Sequence, residues 1–269
     1  MSMILNYTLR DAEEWAAFSG DYNPIHFDLQ HVRKMGADQL SVHGMRAMLD
    51  MKRQLSAALL ASPPEHDFYV FSTRMRRPVL CQTPYDLLIG ANGKQITGEL
   101  LDCATQKNCF NSKLAAGRPL ELAACNHEHA LTVAEVMALC QPFPGQALEA
   151  TQAWSFFDAL LFQLLVKSPE TLAALATALP ELQAATLIDV FDQIPVVQTH
   201  HETHFSARLF TPTALFESED RLYYHIQPML IIGDRSNGFV LRAVIEARTQ
   251  QYPLLVTSVT LKTWPLADN

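Results

Sequence analysis

Phe18-Ser19-Gly20-Asp21-Tyr22-Asn23-Pro24-Ile25-His26, followed further on by Val42-His43-Gly44-Met45, is the stretch from which the rest of this 269-residue chain can be read. Within a few residues of tight loop it gathers an acid, an amide and an imidazole. Gly20 and Pro24 constrain the loop, so Asp21 and His26 can point to a common spot. A carboxylate and an imidazole that share one water can position it and remove its proton, for ~10²–10⁴ in rate. Gly44 falls where a long helix should begin, and there a backbone N–H unscreened by a side chain can face a developing oxyanion, helped by the helix dipole. The same residues also suit an ordinary turn, because Asp, Asn, Gly and Pro are the common turn formers.

Working outward, Thr8 and Asp11 suggest a capping box ahead of a helix that the loop Ser19–Pro24 stops. Asp28 is placed to cap a short helix through Val32 to Met35, which Gly36 ends. After His43, the residues Met45, Met48, Leu49, Leu55, Leu59 and Leu60 recur at mostly helical intervals, up to Ser62-Pro63-Pro64. From Asp67 the segments FYVFSTRMRRPVL, PYDLLIG, KQITGELLDCAT and KNCFNSKLA are rich in strand formers and separated by turn signals such as Ala91-Asn92-Gly93. Around Arg118 to His129 the pattern resets. Thr132 and Glu135 form a second capping box, an apolar helix follows around Trp154 to Val166, and Ser168-Pro169-Glu170 starts another. After Pro195 come HETHFSARLF, LYYHIQPMLIIG, FVLRAVIEART and LLVTSVTLKTW. Helix followed by antiparallel strands is an α+β pattern, and the order of elements occurs twice, with residues 1–122 and 123–269 as the two halves.

Composition narrows the function classes. With 49% apolar residues the chain can bury a substantial core, and 20 Lys and Arg against 28 Asp and Glu leave a net charge of −8. That balance argues against broad nucleic-acid binding, which needs a positive field. The greasiest run, Ala159–Val166, is far short of a membrane span. Cys81, Cys103, Cys109, Cys125 and Cys140 show no CxxC spacing, and with the N-terminal MSMILNYTLRDAEEW they point to a reducing cytoplasm.

The FSGDYNPIH loop, Asp28 after it and His43-Gly44-Met45 together resemble the MaoC-like (R)-specific enoyl-thioester hydratases and dehydratases. The signature of that family is an SGD-x-NP-[ILV]-H loop, an acid two residues beyond the histidine, and an HGM at the start of the central helix. The match covers about the first fifty residues. The resemblance implies a hotdog fold, a long helix wrapped by an antiparallel sheet, and the repeated element order implies a double hotdog whose two halves form one continuous sheet. It implies that Asp21 and His26 activate the water added to C3 of a 2-enoyl thioester, and that the Gly44 N–H holds the thioester oxygen. Asn23 would orient the dyad, Ser19 and Gly20 would shape the loop, and His43 and Met45 would sit at the substrate side of the helix start. No metal or redox cofactor is called for, since the substrate arrives on coenzyme A or the phosphopantetheine of an acyl carrier protein. Neither nucleic acid nor membrane is an expected partner, and two such chains could form a homodimer.

In the second half, Cys140-Gln141-Pro142-Phe143-Pro144-Gly145-Gln146 stands where the loop should be, with no acid and no imidazole, and Ala153-Trp154-Ser155-Phe156 replaces Val42-His43-Gly44-Met45. This half is expected to be structural and to contribute apolar wall to an acyl tunnel, with Trp154, Phe156 and Phe157 as candidates for the wall or for plain core. Arg74, Arg76 and Arg77 are the densest basic cluster, and alternation would put Arg74 and Arg76 on one face, suited to an anionic carrier or simply to solvent. His200, His201, Glu202 and His204 invite a metal reading, but a strand puts only 200, 202 and 204 on one face, no fourth ligand is evident, and a solvated strand face is the reading; His127 and His129 are weaker still. Two other functions compete with hydration: a hotdog thioesterase that activates water at C1, and a non-catalytic acyl-binding scaffold.

Overall fold

The computed structural model describes residues 2–93, 95–124, 128–144, 153–179, 184–210 and 221–266. Cys125, His127, Gly145 and Gln146, named above, lie outside the described residues. Strand β1 (Ser2–Asn6) leads into helix α1 (Leu9–Ser19), and a 3-10 turn (Pro24–His26) precedes α2 (Leu29–Lys34). After the short β2 (Ser41–Val42) comes α3 (Gly44–Leu59), then β3 (Phe68–Met75), β4 (Val79–Leu80), β5 (Pro84–Asn92), β6 (Gln95–Asp102) and β7 (Asn108–Ala116). The second half begins with β8 (His129–Leu131), α4 (Val133–Cys140), α5 (Ala153–Lys167), α6 (Pro169–Ala178) and α7 (Leu187–Gln193). It ends with β9 (Val196–Ser206), β10 (Leu222–Ile226), β11 (Leu230–Asp234), β12 (Gly238–Arg248) and β13 (Pro253–Thr263).

One antiparallel sheet runs β1-β5-β6-β7-β3-β9-β13-β12-β10-β8, with β11 extending along β12, and β2 pairs separately with β4. With the β2–β4 pair and β11 set aside, each half places its strands in the order first, third, fourth, fifth, second. The halves join through their second strands, β3 and β9, in register from Phe68 opposite Ser206 to Arg74 opposite His200. Helices α3 and α5 cover this sheet. The chain therefore has the α+β double hotdog architecture. Among the described residues no single helix is long and apolar enough to cross a membrane.

Local chemistry explains the elements. In α1, Thr8 N and Oγ1 both donate to Asp11 (2.8 Å each), and in α4 Thr132 N donates to Glu135 (2.7 Å), so both expected capping boxes are present. Asp28 caps α2 by accepting from Gln30 N (2.7 Å) and His31 N (3.1 Å). Helix α3 buries Met45, Met48, Met51, Lys52 and Leu55, whereas α5 is buried nearly all round, as expected of a helix apolar on every face. Trp154 lies flat on Phe205, with centroids 4.4 Å apart and planes at 2°, while Phe156 and Phe157 are buried beside it. These three aromatics are core, and none lines the cavity described below. Strand β9 alternates: His201, Thr203 and Phe205 point inward and are buried, while His200, Glu202 and His204 keep some exposure on the opposite face.

Several elements depart from the sequence expectation, the short β2 and β8 among them. β1 was not anticipated, and β10 and β11 replace one long strand, because the chain leaves the ladder at Gln227–Met229. Helix α7 was also unforeseen, although Thr186 N and Oγ1 donating to Asp189 (2.8 and 3.0 Å) make it a third capping box that the residue types signal.

Candidate active site

Helix α1 ends at Gly20, whose φ of +79° is left-handed and whose N–H closes on Ala16 O at 2.8 Å. Without a Cβ, Gly20 turns the chain sharply, and a ladder of side-chain-to-backbone bonds continues the turn. Ser19 Oγ accepts from Asp21 N (3.1 Å), Asp21 Oδ1 from Asn23 N (3.3 Å), and Asn23 Oδ1 from Ile25 N (3.2 Å). Pro24 then opens the 3-10 turn that delivers His26. The second half braces this loop: Gln163 of α5 donates to the Phe18 carbonyl, and the Lys167 side chain lies 2.8 Å from where a Cβ on Gly20 would be.

His26 is buried, and its Nδ1 lies 2.8 Å from the Ser41 carbonyl. A carbonyl only accepts, so Nδ1 carries the proton and Nε2 keeps a free lone pair. His43 precedes α3 and donates from Nε2 to the Asp21 carbonyl at 2.8 Å. Its ring lies on that of His26, with centroids 3.6 Å apart and planes at 31°. Burial, with His43 as second cause, pulls the His26 pKa down to about 3 against the pull of Asp21. Burial likewise pulls His43 down to about 4, and it raises the Asp21 carboxyl above its ordinary value against the attraction of His26. The side-chain ligand atoms of Asp21, His26 and His43 lie within 4.8 Å of one another. Each imidazole spends one ring nitrogen on a backbone carbonyl, which leaves one nitrogen per ring to face a water or other ligand beside Asp21.

Gly44 is the first residue of α3, where N–H groups have no intrahelical acceptor. Asp21, Asn23, His26, His43, Gly44 and Met45 all line one cavity of about 450 Å³. Ser19 and Gly20 do not line it; Ser19 is wholly buried, and both act on the loop backbone. Arg76 and Arg77 border the cavity, but Arg74 does not. Of the expected pair only Arg76 lines the cavity; β3 ends at Met75, although the Arg76 N–H still donates to the Cys109 carbonyl at 2.8 Å.

Sequence reasoning passed over two features next to this site. Gln198 of β9 lines the cavity, with Oε1 3.8 Å from the Cβ position of Gly44, and its Nε2 lies 3.3 Å from His201 Nδ1. Behind it, His201 Nε2 donates to Asp158 (2.9 Å), which also accepts from Thr203 and Thr257 (2.6 Å each) and pairs with Lys52. All five residues of this cluster are buried, and none lines the cavity. Of the histidines in this run, His201 is the one buried in the cluster, while His204 meets Glu202 (3.1 Å) and His200 meets Thr199 (3.1 Å) away from it.

No protein-family model matches the chain, and no curated protein matches it. Among solved structures, it is similar to a MaoC-like dehydratase at 10% identity, covering 99% of this chain and 97% of the other with a TM-score of 0.46. It is similar to a conserved hypothetical protein of Mycobacterium tuberculosis with a double hotdog fold at 11%, covering 98% and 96%, TM-score 0.48. A 12:0-ACP thioesterase from Umbellularia californica is similar at 9%, covering 98% and 94%, TM-score 0.46. On its own strand order and helix placement the chain is a double hotdog protein, with a site loop whose sequence resembles that of the MaoC-like hydratases.

Proposed function

We propose that the chain catalyses reversible hydration of a trans-2-enoyl thioester to the (R)-3-hydroxyacyl thioester, with the acyl group carried on coenzyme A or an acyl carrier protein. The observation that supports it is the placing of two different proton acceptors, the Asp21 carboxylate and His26 Nε2, beside the opening residue of α3. A water has two hydrogens to donate. With one on each acceptor, its lone pair is left to attack C3. As the C–O bond forms, the C2–C3 π electrons move toward the thioester oxygen, where the Gly44 N–H and the α3 dipole hold the charge. Asp21, whose pKa burial raises, accepts the water proton and returns it to C2, so H and OH both come from water and the enzyme ends unchanged. Dehydration is the reverse. Arg76 and Arg77 at the cavity edge suit the phosphates or acidic surface of the carrier.

Incubation with a trans-2-enoyl-CoA is expected to remove the enoyl absorbance without releasing free thiol. Thiol release would instead assign a thioesterase, and binding without either change a scaffold. Asp21→Asn and His26→Ala are each expected to lower kcat by ~10² or more with the fold retained; near-parental activity in either variant would overturn the mechanism.

A further inference from the structure

The two halves repeat the same strand order but differ between the central helix and the second strand. Residues 60–67 join α3 to β3, whereas residues 168–195, with α6 and α7, join α5 to β9. The longer connection supplies Leu175, Leu179, Leu187, Val190 and Ile194 to an apolar cluster separate from the main core, completed by Val196, Phe239 and Leu241. All of these except Phe239 line the cavity that contains Asp21 and His26. The cluster therefore surrounds space instead of filling it, whereas protein interiors are otherwise close-packed. Large, mostly apolar hollows with a few polar groups at one end are what ligand sites look like.

The lining is also graded in polarity. Its charged members, Asp21, Arg76 and Arg77, all belong to the first half, and the residues that the second half contributes include no acid, base or histidine. A thioester laid along this gradient puts its charged carrier at the arginines, its reacting carbons at the Asp21–His26 pair and its acyl tail against α6 and α7. At roughly 30 Å³ for each water-sized group, a four-carbon acyl group would occupy only about a quarter of the 450 Å³.

We propose that the α6–α7 connection is the specificity element of this site, and that the substrate class is the thioester of an aliphatic acyl chain of medium to long length, roughly eight carbons or more at that packing. The proposal rests on the reading of the site as one that acts on acyl thioesters. Binding energy is gained per methylene as each leaves water for the Leu and Val wall, so selectivity for length is the expected outcome of building that wall.

The test is the dependence of kcat/KM on chain length for trans-2-enoyl-CoA substrates of four to fourteen carbons, together with calorimetric binding of saturated S-alkyl-CoA thioethers of the same lengths. Values at about ten to twelve carbons are expected to exceed those at four by at least tenfold, with thioether affinity rising in parallel. Val190→Trp and the milder Leu187→Phe are expected to lower kcat/KM for the long substrates at least tenfold more than for the four-carbon one. A profile that is flat or highest at four carbons overturns the proposal, as does a folded Leu187→Phe protein with the parental profile. Thioethers that bind more tightly with length, without turnover of any enoyl substrate, would uphold the length class and remove the hydratase reading. Turnover indifferent to length would do the opposite.

Discussion

Two imidazoles lie face to face at the head of the cavity, and burial keeps both uncharged, His26 to about pH 3 and His43 to about pH 4. An imidazole that charges only in strong acid is a hydrogen acceptor over the whole neutral range, so kcat/KM is expected to show no inflection near the ordinary histidine value of 6.5. An acid limb centred there in the pH–rate profile would contradict the buried, neutral dyad. The same shifts bear on stability. Both folded pKa values lie below 6.5, so the unfolded chain binds more protons as the pH falls from 6.5 toward 4, and stability is lost over that window. Asp21, raised by burial, offsets part of this at the acid end. The gathering of Asp21, Asn23 and His26 at the cavity was legible because a short loop brings sequence neighbours together by local hydrogen bonds. Gln198 was not, because a chain separation of more than 150 residues divides it from Gly44, and only the seam between β3 and β9 brings the two within reach.

At the scale of elements, α3 and α5 are joined by a charge cluster where two apolar helices would be expected to pack with hydrocarbon alone. Lys52 on α3 pairs with Asp158 on α5, and His201, Thr203 and Thr257 supply the remaining hydrogen bonds from β9 and β13. Burial pushes the Asp158 pKa up, but His201 and Lys52 outweigh it and hold the carboxyl well below its ordinary range. Removing one member of such a cluster strands the others without solvent, which typically costs ~3–5 kcal/mol, whereas replacing the pair with apolar residues of similar volume can be neutral. Asp158→Leu and Lys52→Met alone are therefore each expected to lower unfolding free energy by about 3–5 kcal/mol, and the two together by much less than the sum of the single changes. Urea denaturation of the four proteins measures this coupling, and additive losses would mean that the ion pair contributes nothing. The helices themselves were readable from apolar spacing and caps. The cluster was not, since a Lys at a helical interval among methionines and leucines gives no sign of the carboxylate it meets from another helix.

For the whole molecule, the repeated order of helix and strands was visible in the sequence, because capping boxes and strand composition are local. The single sheet shared by both halves follows from that repeat as expected, but which strands join does not, since the β3–β9 pairing depends on long-range register that composition does not encode. The asymmetry between residues 60–67 and 168–195 has no meaning in the sequence alone, and the cavity gives the extra helices a surface to line. Charge belongs to this scale too. The chain as a whole carries −8 and repels an anionic carrier at a distance, yet Arg76 and Arg77 stand exposed at the edge of the cavity that holds Asp21 and His26. Exposed guanidiniums interact weakly with a phosphate in salt and more strongly without it, because the screening length is about 10 Å at 0.1 M and about 3 Å at 1 M. If these two arginines receive the carrier, Arg76→Ala with Arg77→Ala raises KM for the coenzyme A substrate several-fold at low ionic strength, and the difference from the parent protein shrinks as salt is added. Loss confined to KM marks an interaction made equally in ground and transition states. The Arg74→Ala protein is the control, because Arg74 lies outside the cavity lining. An equal rise in KM from Arg74→Ala would show a diffuse field, and no rise from the double variant would place the carrier elsewhere on the surface.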